Sequence, residues 1–168
     1  MKDIKNLNDL LIEQGRELYS TERQELDVLP KFEKQVSSPK LKKIISNQIS
    51  RAKEQQLRIE KAFSKLNTSP EGEFSEPFGA LVNKSNQLIN RSIDPQIKDA
   101  GIINSIQHLN HYKIAGYGAL STYAEELGNE EVATLFHDSL DDEKKIDSEL
   151  KELAKSEINK KAINPVSA

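Results

Sequence analysis

Residues 94–128 read DPQIKDAGIINSIQHLNHYKIAGYGALSTYAEELG and carry the longest helical pattern in the chain. Apolar side chains recur there every three or four positions, which is the spacing of one helix face. Asp94 and Pro95 are typical of an N-cap and a first helical position, and Gly128 is typical of the residue just after a helix. The pattern predicts a helix over residues 95–127, roughly 50 Å long at a rise of about 1.5 Å per residue. Its apolar positions are Ile103, Ile106, Ile114, Tyr117, Leu120, Ala124 and Leu127.

Three further stretches show the same spacing. They run from Leu7 to Leu29, from Leu41 to Leu66 and from Val132 to Leu153. Ser38-Pro39 is a helix-start signal before the second stretch. Pro30, at the end of the first stretch, is expected to kink or weaken the last helical turns because proline lacks the N–H that a helix needs. The sequence therefore predicts four long helices.

The lengths of the links between these helices indicate the topology. The first and last links are short and predict antiparallel hairpins, whereas a long link joins the second helix to the third and lets the second hairpin start from the same end as the first. Within it, a shorter apolar segment predicts one extra helix. Two hairpins and one long crossover predict an all-α, ferritin-like four-helix bundle with a short extra helix in the crossover. The expected domain covers residues 1–155, and residues 156–168 are expected to form a polar, flexible tail.

The composition narrows the range of functions. The chain has 168 residues, a net charge of −3, 5% aromatic residues and no cysteine. Cysteine catalysis, thiolate metal sites and disulfides are thereby excluded, and the charge and the absence of a basic block argue against nucleic acid as a partner. No run approaches the ~20 apolar residues of a membrane span, and the first residues do not resemble a signal peptide. We therefore expect a cytoplasmic protein without a membrane anchor.

Polar or charged residues interrupt each apolar stripe near the middle of its helix. Mid-helix residues of a bundle lie at about one level, so we expect these side chains to meet in a polar core layer. They are Glu22, Gln48, Arg51, Asn110, Lys113 and Glu143.

The mixed signs of this layer favour salt bridges over a metal site. A buried charge costs several kcal/mol unless it is paired, and two acids with two bases pair. A di-metal carboxylate site needs four acids and two histidines, whereas a protonated Lys113 repels cations and Arg51 has no accessible neutral form. We therefore expect no cofactor. Under the alternative, iron or manganese would be held by Glu22, Glu143 and Asp147.

Other polar residues have simpler expected roles. Glu25 either joins the layer as a spare acid or faces the connecting loop. His108 and His111 share one helix face but lack a clear partner acid there, so packing of His111 against the crossover is favoured over metal binding. Gly116 and Gly118 lie inside a helix and indicate a close contact between helices or subunits.

Several segments resemble the YciF/YciE-type ferritin-like stress proteins of bacteria over nearly the whole chain. They are LYSTERQE at 18–25, VLPK at 28–31, DPQIKDAGII at 94–103, QHLNHYKIAGYGAL at 107–120 and LDDEKKIDSEL at 140–150. The resemblance implies a ferritin-like fold and a setting in stress.

This chain also departs from the pattern of that family. Family members carry histidine and glutamate where this chain has Gln48 and Arg51, and two glutamates where it has Asn110 and Lys113. The first-helix glutamate is kept as Glu22, and two acids of the fourth helix are matched by Glu143 and Asp147. About half of the acid-rich, ligand-like set is therefore replaced.

The sequence thus predicts a non-catalytic, stress-associated bundle protein whose di-metal layer has become a salt-bridge layer, and which forms a homodimer through a bundle face. The alternative is a di-metal carboxylate oxidoreductase or a ferroxidase-like protein.

Overall fold

The computed structural model of the chain describes residues 3–163, which contain helices and no strand. The four long helices are α1 (Leu7–Glu33), α2 (Pro39–Lys65), α4 (Pro95–Glu126) and α5 (Glu130–Leu153), and α3 (Glu76–Arg91) lies within the crossover. A π-helical turn over Ala154–Ile158 leads into a short α6 (Asn159–Ile163). The predicted all-α bundle with a short helix in its crossover is confirmed.

Local signals begin and end these helices as their residue types suggest. The side chain of Asn6 accepts a hydrogen bond from the N–H of Asp9, and Ser38 caps α2 in the same way. The Asp94 carboxylate accepts from the N–H groups of Gln96 and Ile97. Side-chain oxygens thereby satisfy N–H groups that a first helical turn leaves without partners. After α4, Gly128 adopts a φ of +73°, which glycine reaches without strain.

The helices pack in the cyclic order α1, α2, α5, α4, and α3 lies outside the bundle against α4 and α1. The second hairpin starts at the opposite end from the first, so the expectation of a common starting end was wrong. The reason is that the crossover runs the length of the bundle and returns the chain to the end where α2 begins. There, Asp99 in the first turns of α4 accepts hydrogen bonds from the N–H groups of Ser37 and Ser38.

The C-terminal region also differs from the expectation. Residues 156–163 are helical and not a flexible tail, because Ile158 is buried against the core at the end of the bundle. The boundary predicted after residue 155 is therefore not seen, while residues 164–168 lie outside the described residues.

Pro30 does not end the first helix, because α1 continues for three more residues to Glu33. None of the described helices has the length and apolar character of a membrane span.

The apolar core is divided into two clusters by the middle of the bundle. The cluster at the end where α2 and α4 begin includes Leu29, Phe32, Leu41, Ile45, Ile103, Ile106, Ile146 and Leu150. The cluster at the other end includes Leu11, Leu18, Ile59, Phe63, Leu120, Ala124, Val132 and Phe136. The residues between the two clusters are polar, and they form the candidate site.

Candidate functional site

Seven polar side chains without exposed surface lie between the two apolar clusters. We call this group the polar layer. Each of the four long helices contributes one or two of these side chains. They lie on the helix face that is otherwise apolar and that points into the core. Its members are Glu22 and Glu25 on α1, Gln48 and Gln55 on α2, Asn110 and Lys113 on α4, and Glu143 on α5.

Lys113 is the centre of the polar layer. Its Nζ atom lies 3.2 Å from Glu22 Oε1 and 2.9 Å from Glu143 Oε1, and it also donates to Glu25. A fourth contact of 3.4 Å reaches Oε1 of Gln55. One ammonium group therefore contacts carboxylates from two helices, α1 and α5, as well as an amide from α2. Charge-assisted hydrogen bonds of this kind are about twice as strong as neutral ones.

Two amides donate further hydrogen bonds to the carboxylates. Nε2 of Gln48 donates to Oε1 of Glu25 and to Oδ1 of Asn110, at 2.8 Å in both cases. Nε2 of Gln55 donates to Oε1 of Glu143 at 2.9 Å. Buried polar groups normally find such partners.

The second carboxylate oxygen of Glu143 is not satisfied in this way. Among residues 3–163, Oε2 of Glu143 has no hydrogen-bond partner, and neither has Oε1 of Gln48 or Nδ2 of Asn110. The layer therefore combines strong ionic contacts with three uncompensated polar atoms.

Tyr117 connects the polar layer to the neighbouring apolar cluster. Its hydroxyl donates to Oε1 of Glu22 at 2.6 Å, and its ring lies near Phe136 with centroids 6.5 Å apart. Burial and the nearby Glu22 carboxylate raise the pKa of Tyr117 well above its usual range. The phenol therefore stays protonated and serves as a hydrogen-bond donor.

Burial dominates the titration of the carboxyl groups. It raises the pKa of Glu22 to about 8, against the opposing effect of Lys113. Burial raises the pKa of Glu143 as well. Lys113 is desolvated too, but the three carboxylates around it hold its pKa well above the usual value of 10.5. The ammonium thus stays charged at neutral pH, and the Glu22 carboxyl group takes up a proton at a higher pH than an exposed glutamate does.

The structure brings together five of the six residues that the sequence predicts for this layer, and it excludes Arg51. Nη1 of Arg51 lies 2.9 Å from Oδ1 of Asp142 on the partly exposed α2–α5 surface, where Arg58 binds the other oxygen of Asp142. The placement of Arg51 in the core was therefore wrong. The long side chain extends outward along the helix to an acid that remains accessible to water.

Asp147 is not part of the polar layer either. Its carboxylate lies on the surface between α4 and α5, where it accepts from Gln107 and contacts Nε2 of His111, each at 3.2 Å. The expected packing of His111 against the crossover was therefore wrong, and Tyr112 occupies that contact, with its ring 5.7 Å from Phe78 of α3.

The sequence pattern did not decide between two positions for Glu25, and Gln55 was not predicted to lie in the polar layer. Glu25 belongs to the layer and contacts Lys113. Gln55 falls on the same helical stripe as Gln48, so its spacing was the available signal. Gly116 fits the expected helix contact, because a Cβ atom there would lie 3.0 Å from Leu18 of α1.

The donor set of the polar layer does not fit a di-metal carboxylate site. Such a site takes four acids and two histidines, whereas the layer has three acids and no histidine. The Lys113 ammonium lies between those acids, and it repels cations. Over residues 3–163, no group of three or more His, Cys, Asp or Glu side chains is arranged to hold a metal ion.

A surface cavity of 560 Å³ lies beside the crossover. It is lined by Glu13, Arg16, Glu17 and residues 71–77, none of which belongs to the polar layer.

Comparisons with known proteins find relatives over almost the full length. The chain is 31% identical to the protein YciF of Escherichia coli K12 over 163 residues, which cover 96% of this chain and 98% of that protein. The crystal structure of the E. coli stress protein YciF superimposes with a TM-score of 0.89 at 29% identity, covering 94% of this chain and 99% of that one.

Two other solved structures are similar. YcfI of Rhodopseudomonas palustris, described as a candidate structural protein, gives a TM-score of 0.87 at 29% identity, over 89% of this chain and 96% of that one. A protein of Xanthomonas campestris shares the fold, with a TM-score of 0.71 at 18% identity over 89% of this chain and 91% of that one. The model of a domain of unknown function, DUF892, matches residues 6–163. The chain therefore belongs to the DUF892 family.

Proposed function

We propose that this chain is a stress-associated bundle protein without catalytic activity, and that it acts in the cytoplasm. In this proposal the ammonium group of Lys113 takes the role that metal cations have in di-metal carboxylate bundles. It links helices across the core and balances the charge of buried acids. Relatives described as a stress protein and as a candidate structural protein support this assignment.

The observation that carries the proposal is the position of Lys113 Nζ. It lies within 3.3 Å of both Glu22 oxygens and 2.9 Å from Glu143, and it also contacts Glu25. A divalent cation bound to the same carboxylates would be a few Å from a fixed positive charge in a medium of low polarity. Coulomb repulsion at that distance amounts to several kcal/mol even at an effective dielectric constant of about 20.

The test is the metal content of protein that is produced with excess iron and manganese. We expect substoichiometric metal in the wild type and no change in Glu22→Ala or Glu143→Ala. Stoichiometric metal that is lost in both variants would contradict the proposal and favour the di-metal oxidoreductase or ferroxidase-like alternative. Asp147→Ala extends the test, because Asp147 is the third acid of that alternative.

A second variant tests the role of the ammonium directly. Lys113→Glu replaces the fixed cation by a fourth buried carboxylate. We expect this variant to bind Mn²⁺ and to gain thermal stability when Mn²⁺ is added. Lys144→Glu is the matched control, because Lys144 is exposed on α5. Equal metal content in the two variants would show that Lys113 does not control metal binding.

A further inference from the structure

Charge is separated between the two ends of the bundle. Residues 28–45, 88–102 and 150–163 contain 11 lysines and arginines and five aspartates and glutamates. Residues 3–17, 60–80 and 120–138 contain 13 aspartates and glutamates and four lysines and arginines. We call the first set the basic end and the second set the acidic end. The net charge of −3 for the whole chain hides this separation.

Contacts between the helices place these two sets at opposite ends. At the basic end, Asp99 binds the start of α2, and Lys40 pairs with Glu157. At the acidic end, Lys65 pairs with Glu131, and the Arg16 side chain donates to the carbonyl of Ser69. The polar layer lies between them. Each end therefore presents its own surface, with a charge opposite to that of the other.

Exposed apolar side chains also concentrate near the ends. Of the seven large apolar residues that are exposed in the described part of the chain, four lie at the basic end and two at the acidic end. Ile93 is 91% exposed and Ile163 is 74% exposed at the basic end, and Ile4 and Phe74 are more than half exposed at the acidic end. Leu57, on the side of α2, is the exception. Apolar groups that are rimmed by charges are typical of a contact surface.

We propose that the basic end of one copy binds the acidic end of a second copy of this chain. The two surfaces belong to the same molecule and are complementary in charge, so the contact is head-to-tail. A head-to-tail contact leaves one free end of each kind on every pair, and it continues into a filament or closes into a ring. This inference is independent of the proposed function.

A second copy fits the surfaces better than a nucleic acid or an anionic membrane does. A polyanion would contact the basic end and leave the acidic end unused, and the excess negative charge of that end would oppose its approach. Surface ion pairs contribute about 0–1 kcal/mol each, and salt screens them. The contact is therefore expected to be weak and to depend strongly on ionic strength.

Sedimentation of the wild-type protein as a function of salt tests this inference. At about 0.01 M ionic strength the Debye length is ~30 Å, and at about 1 M it is ~3 Å. We expect the average mass at high protein concentration to increase well beyond two chains at low salt and to fall at high salt. A mass of one chain at low salt, or a mass of two chains that does not respond to salt, would overturn the inference. The second outcome would instead indicate a homodimer through a bundle face.

Charge reversals at the two ends make the test specific. Glu125→Lys/Glu126→Lys/Glu130→Lys changes the acidic end, and Lys42→Glu/Lys43→Glu/Lys160→Glu changes the basic end. These six side chains are exposed, and none takes part in the ion pairs formed among residues 3–163. Each triple variant alone should self-associate much less than the wild type, because the charge difference between its two ends is reduced. A mixture of the two should form pairs, because the unchanged basic end of one variant meets the unchanged acidic end of the other.

A matched control changes three charges on the side of the bundle. Lys53→Glu/Lys144→Glu/Lys145→Glu alters exposed residues near the level of the polar layer. It should associate like the wild type at low salt. If this control loses as much self-association as the end variants do, the total charge of the chain controls association and the charges at the ends do not. Failure of the mixture to associate would equally overturn the head-to-tail contact. Binding of the basic end to anionic vesicles or DNA without self-association would assign that end to a polyanion instead.

Discussion

The Nζ atom of Lys113 lies 2.9 Å from Oε1 of Glu143, and neither side chain has exposed surface. This pair joins α4 to α5 in the centre of the core, and contacts of the same ammonium with Glu22 and Glu25 extend the link to α1. The stability of the bundle should therefore depend on one cation more than on any other charged side chain.

Lys113→Met should destabilise the protein strongly. The substitution keeps the volume of the side chain but leaves three buried carboxyl groups without a cation, and the loss of one partner from a buried ion pair typically costs about 3–5 kcal/mol. Urea denaturation at neutral pH measures the change in the free energy of unfolding. Lys144→Met, on the exposed face of α5, is the control and should change stability by no more than about 0.5 kcal/mol. A change near zero for Lys113→Met would mean that water reaches the layer.

Arg51→Met should have a small effect, because Arg51 lies outside the layer. Its side chain and that of Asp142 are both about a quarter exposed, and Asp142 keeps its contact with Arg58. Surface ion pairs contribute about 0–1 kcal/mol. The same urea experiment compares this variant with Lys113→Met. A loss as large as that of Lys113→Met would place Arg51 back in the core network.

The positions of Gln55 and Arg51 on α2 show how far a helical pattern can locate a side chain. Gln55 lies in the polar layer, and Arg51 lies outside it. At about 100° per residue, Gln55 lies ~20° around the helix axis from Gln48, whereas Arg51 lies ~60° away. Stripes therefore predict the helices and most of the inward positions. They do not decide whether a long side chain at the edge of a stripe turns inward, because that depends on an acid of another helix. For Arg51 this acid is Asp142, which no pattern within α2 reveals.

The course of the chain after residue 155 was missed for a similar reason. The segment is polar and has no strong periodicity, but Ile158 finds an apolar surface at the end of the bundle. Only the assembled bundle supplies this apolar partner.

Stability should fall as the pH rises from about 5 to 8. The pKa of Glu22 is raised from its ordinary value of 4.5 to about 8 in the folded state, so the folded protein holds a proton that the unfolded chain has lost. Linkage then makes unfolding more favourable with increasing pH across this window, by at most about 1.4 kcal/mol per unit for one group. The raised pKa of Glu143 acts in the same direction, and Lys113 remains charged throughout.

The measurement is the urea midpoint as a function of pH, for the wild type and for Glu22→Gln. The variant lacks the titrating carboxyl group, so its stability should depend less on pH between 5 and 8. Glu157 offers no competing signal there, because pairing with Lys161 and Lys40 lowers its pKa to about 2. Equal slopes for the two proteins would show that Glu22 is already ionised in this range.

Gln48 and Asn110 should be energetically coupled. Nε2 of Gln48 donates to Oδ1 of Asn110 at 2.8 Å, and both side chains are buried. Gln48→Leu or Asn110→Leu alone leaves the other amide without this partner, at a cost of about 1–3 kcal/mol. The double variant removes both groups, so its cost should be lower than the sum by roughly 0.5–3 kcal/mol. Gln48→Leu combined with Gln107→Leu is the control and should be additive, because Gln107 bonds Asp147 on the surface.

Two glycines inside helices should respond to alanine with opposite signs. At Gly15 of α1, a Cβ atom would lie 2.7 Å from the ring of the buried Phe63, which is closer than such atoms approach. At Gly118 of α4, the nearest atom to a new Cβ belongs to Leu140 and lies 4.0 Å away, an ordinary contact. Overpacking costs about 1–3 kcal/mol, whereas alanine in a helix interior is favoured over glycine by roughly 0.5–1 kcal/mol.

Gly15→Ala should therefore lower the free energy of unfolding and Gly118→Ala should raise it, and thermal melting of the two variants beside the wild type measures both changes. The comparison separates packing from helix propensity, because the propensity gain is the same at both positions and only the space around the new methyl group differs. Stabilisation by Gly15→Ala would mean that the Phe63 ring moves aside at little cost. A loss of stability in Gly118→Ala would mean instead that another chain packs against this face of α4, since no atom of the other helices within residues 3–163 lies closer than Leu140.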